Sequence, residues 1–375
     1  MSNEAVNPLD FASLINEYKS NFPTFQILNA EGEIVNQKAY DELAASDDEQ
    51  RELMRRMVWS RELNARSTIL AKQGWMHFHA PYQGQEASQI GSYSAFNRDD
   101  FLLAGYRAFA PIVLHGLPLA HCFHWNNGHV QGNDYTSLNG IPPQVIIGAQ
   151  IVQGAGVGMG LRLRGSKQVA LTYTGDGGTS QGDFYEGLNF AGVYKSQIVY
   201  IVENNEYAIS THWTQQTAAQ TLAQKAVAAG IPGIQVDGMD ALAVLSASRA
   251  ARQWAADGNG PVLIETLTSR FDPHSLSGDD PSIYRTADTF EYWNERDPLK
   301  RMRLHLSKRG LWSEEDEAEA QTQARADVKE AMEQVTATPK QKVSDFLRNM
   351  FETPHADLAE QIAIAESKER ARAEA

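Results

Sequence analysis

The chain has 375 residues, a formal net charge of −14 and a single cysteine. An acidic chain with no basic, aromatic-interleaved stripe is not built to hold nucleic acid. One thiol, Cys122, excludes an internal disulfide framework and reads as a small apolar filler.

Residues 1–50 read as an N-terminal arm. The opening MSNEAVNPLDFASLINEYKS has neither an apolar secretory core nor an Arg-rich, acid-poor transit character, so a cytoplasmic protein is expected. Phe22 to Ile34 suggests a short hairpin turning at Ala30-Glu31-Gly32. Residues 48–73 read as one long helix, with Leu53, Met57, Leu63 and Leu70 along an apolar face. Gly74 ends it, Pro81 and Gly84 mark a loop, and a new helix opens near Gln85. His77 and His79 alternate around Phe78 in that loop. Structural polar roles are favoured for both over a metal- or substrate-facing role.

Asp99 to His115 reads as strand, turn and helix, with Gly105-Tyr106-Arg107 where strand meets helix. Arginine can grip phosphate in a fork, and tyrosine offers a hydroxyl and a stacking face. A surface ion pair is the alternative for Arg107. His115, His121, His124 and His129 follow, but their spacing is not a usual zinc pattern. The segment GHVQGNDYTSLNGIPPQ reads as loop. Gln144 to Gly165 is a helix rich in glycine, each glycine costing about 1 kcal/mol against alanine. Close packing at a subunit interface is the reading, a phosphate loop the alternative. Gln150 and Gln153 interrupt its apolar run, which is short of the roughly 20 residues that span a membrane.

Val169 to Thr174 is a short apolar, partly β-branched run that reads as a buried strand. It stops at Gly175-Asp176-Gly177-Gly178, and Thr179 or Ser180 is placed to cap the next helix. Tyr185, Leu188 and Ala191-Gly192 give that helix an apolar face. A second apolar run, Ile198 to Val202, ends at Glu203-Asn204-Asn205. Two strands joined by a helix run parallel. Asp176 and Asn205 are therefore expected at two carboxyl strand ends, where open α/β sheets bind ligands. A carboxylate and an amide oxygen are hard donors that suit Mg²⁺, which fills its octahedron with phosphate oxygens and water. A glycine-rich turn at a helix start offers N–H groups to an anion. A metal-bound diphosphate fits this set; a plain strand-end Asp is the alternative.

Leu222 to Gly230 reads as helix, IPGIQVDGMD as a strand ending at Asp237, Ala241 to Trp254 as helix and PVLIET as a buried strand. Asp237 is left out of the metal set because a turn-forming Asp before Gly is common. Ser269 to Pro281 is a long polar loop of the kind that carries function, with His274 able to titrate near neutrality. A surface histidine is the alternative. From about Thr286 the chain becomes acidic and alanine-rich, with a helix from Trp312-Ser313 to about Val335 and another over Gln341 to Met350. Residues 357–375 are charged, with fraying expected at the end. The expected fold is α/β, a doubly wound and mostly parallel sheet flanked by helices over residues 51–335, followed by a helical C-terminal extension over 336–375.

GDG followed by NN at the next strand end is the thiamine diphosphate motif. Together with GDGGTSQGDFYEGLNFAG and ENNEYAIS, it resembles the alpha subunits of the decarboxylating component of 2-oxo acid dehydrogenases. The likeness is strongest to the pyruvate enzymes of Gram-positive bacteria. It runs from FPTFQILNAEGEIVN to TPKQKVSDFLRNMF. The resemblance implies a thiamine diphosphate-binding fold in which Asp176, the Asn205 side chain and the Tyr207 backbone carbonyl hold Mg²⁺. It places Tyr106, Arg107, Ile147, Gly148, Gly177, Gly178 and His274 against the cofactor, with His274, Tyr106 and Arg107 at the reaction. Animal pyruvate enzymes carry a histidine where this chain has Ala80, which leaves His79 without an assigned role. Ser275 holds the place of a serine phosphorylated in animal relatives. The carboxylate that activates thiamine is implied to come from a beta subunit in an α2β2 heterotetramer. Glu86 and Glu203 are the candidates within this chain, and structural roles are favoured for both. The acyl group of a 2-oxo acid is implied to pass to a lipoyl group on a dihydrolipoamide acetyltransferase. Branched-chain 2-oxo acids or acetoin are the alternative substrates, and a non-catalytic nucleotide-binding scaffold is the alternative of another class.

Overall fold

A computed structural model of the chain describes residues 22–374. The N-terminal stretch before Phe22, where the targeting expectation rests, lies outside the described residues. Eight strands are present among them: β1 (Phe101–Gly105), β2 (Gly140–Gln144), β3 (Ala170–Gly175), β4 (Ile198–Asn204), β5 (Tyr207–Ala208), β6 (Thr211–His212), β7 (Gly233–Asp237) and β8 (Val262–Leu267). Six of them form one sheet in the order β2-β1-β3-β4-β8-β7, with every neighbouring pair parallel. β5 and β6 make a separate antiparallel hairpin.

Side chains on a strand alternate between faces, and here the alternation divides two cores. Leu102, Leu171, Tyr173, Val199, Ile201 and Ile264 enter one core, while Leu103, Ala170, Ile198, Tyr200, Val202 and Leu263 enter the other. Both sheet faces are thus buried, which is why β3 and β4 read as unbroken apolar runs.

The longer helices are α1 (Asp47–Lys72), α2 (Glu86–Tyr93), α3 (Leu119–Asn126), α4 (Ala149–Leu163), α5 (Gly182–Tyr194), α6 (Ala241–Ala256), α7 (Ala287–Glu295), α8 (Pro298–Ser307), α9 (Glu314–Ala337) and α10 (Ala356–Ala373). One core is covered in depth, with α2 packed on α6, α1 on α2 and α9 on α1. The other is covered mainly by α4 and α5, whose Ile151, Ala155, Phe184, Leu188 and Ala191 point inward.

Two glycines of α4 face the sheet. A Cβ on Gly154 would lie 2.5 Å from Ile198 Cδ1, and one on Gly158 would lie 3.0 Å from the Gln197 carbonyl oxygen. Close packing within the chain therefore accounts for these two. Gly156 and Gly160 face open space beside the exposed Val152 and Leu163.

Several expectations are corrected. The stretch read as loop before Gln144 contains β2, an edge strand whose Pro142 and Pro143 are tolerated because an edge need not donate from both sides. Neither Thr179 nor Ser180 caps α5. Its N-cap is Gln181, without a side-chain bond, because the Thr179 hydroxyl is committed to the Asp176 carbonyl. Tyr185 is 44% exposed rather than part of the inward face. The charged C-terminal segment forms α10 almost to its end. The hairpin turn at 30–32 is present, with Leu28 bridged to Ile34, and Phe25 extends the arrangement by pairing with Val236 on the edge strand β7.

β1 leads outward to β2, whereas β3 returns on the other side of β1. The connection direction reverses between β1 and β3, and a crevice at such a reversal is where doubly wound sheets take ligands.

Candidate active site

The carboxyl ends of the strands open into a cavity of about 490 Å³. β1 delivers Tyr106 and Arg107, and the turn after β2 delivers Ile147. β3 delivers Asp176, Gly177 and Gly178, and β4 delivers Asn205 and Tyr207. The loop after β8 delivers His274. All nine line this cavity. Gly148 stands one residue behind the wall as the N-cap of α4, with φ of 102° and Gln181 packed over it.

Asp176 opens a 3₁₀ turn (Asp176–Ser180) directly after β3. A Cβ on Gly177 would lie 2.7 Å from Ala208 Cβ, and one on Gly178 would lie 2.0 Å from Thr174 Oγ1. The glycines thus let the turn sit tightly between its own strand and the β5–β6 hairpin. Asp176 is 2% exposed, and Gln216 Nε2 donates to its Oδ2 at 2.8 Å. Burial pushes its carboxyl up to about 6, against the pull of that hydrogen bond. A buried carboxylate so thinly compensated is suited to a cation.

Asn205 lies one residue beyond the end of β4, and β4 is hydrogen-bonded to β3, with Glu203 opposite Gly175. Its Nδ2 donates to Gln85 Oε1 at 3.3 Å, which turns the amide so that Oδ1 is left with one long contact, 3.4 Å from Tyr207 N. Glu206 and Ile209 flank β5 with φ of 72° and 58°. Left-handed backbone costs a non-glycine residue about 1–2 kcal/mol. The chain accepts it on both sides of Tyr207, the residue whose carbonyl is the third expected ligand.

The same cavity is also lined by Arg107 and His274, with two further arginines behind them. Arg107 Nη2 lies 3.1 Å from His274 Nδ1 and 3.0 Å from the His274 carbonyl oxygen, while Nη1 donates to Pro81 O. Burial, with the positive charges of Arg107 and Arg270 beside it, lowers His274 to about 4. Arg270 is fully buried just past the end of β8, and burial lowers it to about 10. Arg285 donates to the Arg270 carbonyl and lies over the Tyr207 ring at 5.1 Å. Arg270 Nε and Arg285 Nη2 are buried without a partner. Gln85 Nε2, Gln150 Oε1, Thr174 Oγ1 and Glu203 Oε1 are likewise unpartnered, on residues of the cavity wall. Buried polar atoms are normally paired, so the cavity is lined for a polar occupant.

The other sequence candidates lie elsewhere. His79 is buried, its Nε2 at 3.2 Å from Asn64 Oδ1, and burial lowers it to about 3. His77 offers its backbone N–H to Asn127. His115 sits between the Tyr93 hydroxyl and the Asn139 carbonyl, and His124 meets Thr338. Among the described residues no group of three or more His, Cys, Asp or Glu is arranged to hold a metal. Glu86 is taken by Arg61 and by the Gly84 N–H. Asp237 pairs with Arg301 at 2.6 Å. No helix among the described residues is long and apolar enough to cross a membrane.

A family model described as dehydrogenase E1 component matches residues 54–344. The chain is 53% identical to the pyruvate dehydrogenase E1 component subunit alpha of Bacillus cereus, over 93% of this chain and 94% of that one. It is 52% identical to the subunit of the same name from Bacillus subtilis strain 168, over 92% and 93%. With that of Staphylococcus aureus strain Mu50 the identity is 49%, over 96% and 97%. The chain belongs to the dehydrogenase E1 component family.

Sequence reasoning missed several residues of this E1 site. Arg270 stands just past the end of β8, so the rule that pointed to Asp176 and Asn205 could have pointed to it. Gln85, Gln150 and Gln216 carried no such signal, since a neutral amide in a polar stretch looks like any other.

Proposed function

We propose that this chain is the alpha subunit of a pyruvate dehydrogenase, a thiamine diphosphate-dependent enzyme that decarboxylates pyruvate and passes the acetyl group, with oxidation, to a lipoyl group on the acyltransferase component. The observation that carries the reading is the pairing of the Asp176 and Asn205 strand tips on one cavity, facing Arg107 and His274. Family membership supports thiamine diphosphate as the cofactor.

The residues fit the group. Asp176, Asn205 Oδ1 and the Tyr207 carbonyl make a hard-oxygen set suited to Mg²⁺. Arg107 supplies charge to a diphosphate, and Arg270 behind the cavity wall adds to the positive field there. The Gly177-Gly178 turn allows close backbone approach. Tyr106 and Phe78, in edge contact at 6.2 Å, wall the reaction side. The cofactor when bound supplies an electron sink for the carboxyl carbon's departing bond. His274 accepts from Arg107 at Nδ1, because a guanidinium has no acceptor, so its neutral ring carries the proton on Nε2. It therefore offers a single N–H donor to an anionic group.

The carboxylate that activates thiamine belongs, on this reading, to a beta subunit. Glu86 has both oxygens engaged, and Glu203 is held among Gln85, Ser88 and Gln89, with burial pushing it up to about 7. The exposed apolar side chains of α4 and α5, among them Val152, Phe190, Val193 and Tyr194, support a covering partner.

Titration of thiamine diphosphate with and without Mg²⁺, with the beta chain present, tests the reading. Tight binding only with Mg²⁺ is expected; binding indifferent to Mg²⁺ would sink the metal set. Turnover of pyruvate against 3-methyl-2-oxobutanoate by the assembled complex separates the pyruvate reading from the branched-chain one.

A further inference from the structure

Lys225 is 5% exposed and makes no direct ion pair among the described residues, although the carboxylates of Glu265 and Asp176 lie near enough to act on its charge. A buried ammonium held by neutral oxygens rather than by a contacting carboxylate is costly and calls for a reason. Its Nζ donates to the Thr179 carbonyl at 2.8 Å and to Thr179 Oγ1 at 2.9 Å. Thr179 Oγ1 in turn donates to the Asp176 carbonyl at 2.7 Å. The ammonium lies over Phe184 at 5.8 Å and Tyr185 at 5.4 Å, the first aromatic residues of α5. A two-bond relay therefore runs from Lys225 to the residue that opens the glycine turn.

The segment that carries Lys225 is itself tied to the other strand tip. Glu265, fully buried on β8, accepts from the Ala223 backbone N–H at 2.9 Å and from Asn204 Nδ2 at 2.8 Å. One buried carboxylate thus fixes both the residue before Asn205 and the chain two residues before Lys225.

We propose that Lys225 is a positioning residue. Through Thr179 it holds the Asp176–Ser180 turn in the shape that takes the metal and diphosphate, with Glu265 setting its distance from the Asn205 tip. This inference rests on the proposed function above. Lys225 touches neither the cavity nor any reacting atom; it acts on the backbone of the turn that does.

The test is calorimetric titration of thiamine diphosphate, at fixed excess Mg²⁺, into the complex assembled with the beta subunit. Lys225→Met should raise the dissociation constant about tenfold or more, the loss of two charge-assisted bonds. Lys225→Arg should recover most of that, because a guanidinium can still donate to both Thr179 oxygens. The Michaelis constant for the 2-oxo acid, measured at saturating cofactor, should stay near the wild-type value. Lys225→Met binding within about twofold of wild type overturns the proposal, as does a defect that Lys225→Arg does not relieve at all. Should Lys225→Met fail to assemble, Thr179→Val decides. It keeps the lysine and its bond to the Thr179 carbonyl but removes the hydroxyl link on to the Asp176 carbonyl; weaker binding is expected, and unchanged affinity overturns the relay. A wild-type complex that fails to bind thiamine diphosphate contradicts the functional reading instead.

Discussion

Arg107 grips His274 at two atoms, the ring Nδ1 at 3.1 Å and the backbone carbonyl oxygen at 3.0 Å, through one guanidinium nitrogen. The other terminal nitrogen reaches the Pro81 carbonyl. A single side chain therefore joins the end of β1, the loop before α2 and the loop after β8. Arg107→Lys cannot do this, since an ammonium is a compact point charge without a fork. The variant should bind thiamine diphosphate about tenfold or more weakly, the loss of charge-assisted hydrogen bonds. Calorimetry on the assembled complex reads this directly. Affinity equal to wild type would mean that the fork is dispensable.

Asp176→Asn removes the one carboxylate of the metal set while keeping a side chain that Gln216 can bond. Mg²⁺-dependent affinity for thiamine diphosphate should collapse, by about a hundredfold on the scale of one lost charged ligand. The cofactor-free chain should melt no lower than wild type, because burial already works against that carboxylate. A large fall in melting temperature would reveal a structural role instead.

Gly84→Ala should damage the site from behind. Gly84 has φ of 98°, and a Cβ there would lie 2.2 Å from the Ser269 carbonyl oxygen. Thr268 Oγ1 donates to Gly84 O at 3.0 Å and Phe271 N to Gln83 O at 2.8 Å, so the two loops are laced at this point. Strain of this kind costs about 1–3 kcal/mol. Both the melting temperature and cofactor affinity should fall, since the displaced loop carries Arg270 and His274.

His79 gives the pH dependence a sign. Burial holds it at about 3, below the ordinary histidine value of 6.5. The unfolded chain then binds a proton that the folded chain refuses. This contribution to stability is complete above pH 6.5 and is lost as pH falls toward 3, by about 1.4 kcal/mol per pH unit at most. Asp240 works in the opposite sense, because burial pushes its carboxyl up to about 6 and favours the folded state as pH falls. Comparing melting temperatures of wild type and His79→Gln between pH 7 and pH 5 isolates the histidine. The variant should show the flatter profile; parallel profiles would refute the assignment.

The central unit of the fold was legible because its physics is local. β3 and β4 are apolar runs buried on both faces, and each stops at residues that cannot continue it. Their neighbourhood follows from the helix between them, so Asp176 and Asn205 could be brought together without coordinates. Tyr185 went astray because α5 is apolar on two sides, and a periodicity cannot say which side meets its own sheet. β2 was hidden by two prolines that only an edge position tolerates. Gln216 joins the site from the end of a single short helical turn after β6, whose path no repeat in the sequence encodes. Lys225 is a lone charge in a short run of small and apolar residues, and what holds its ammonium becomes apparent only when Thr179 is seen beneath it.

The sheet is armoured unequally. Several helices lie deep over one face, while the other is covered mainly by α4 and α5, which carry Val152, Phe190, Val193 and Tyr194 outward. A chain with such a greasy flank, made without a companion to sheathe it, is prone to clump with its own kind.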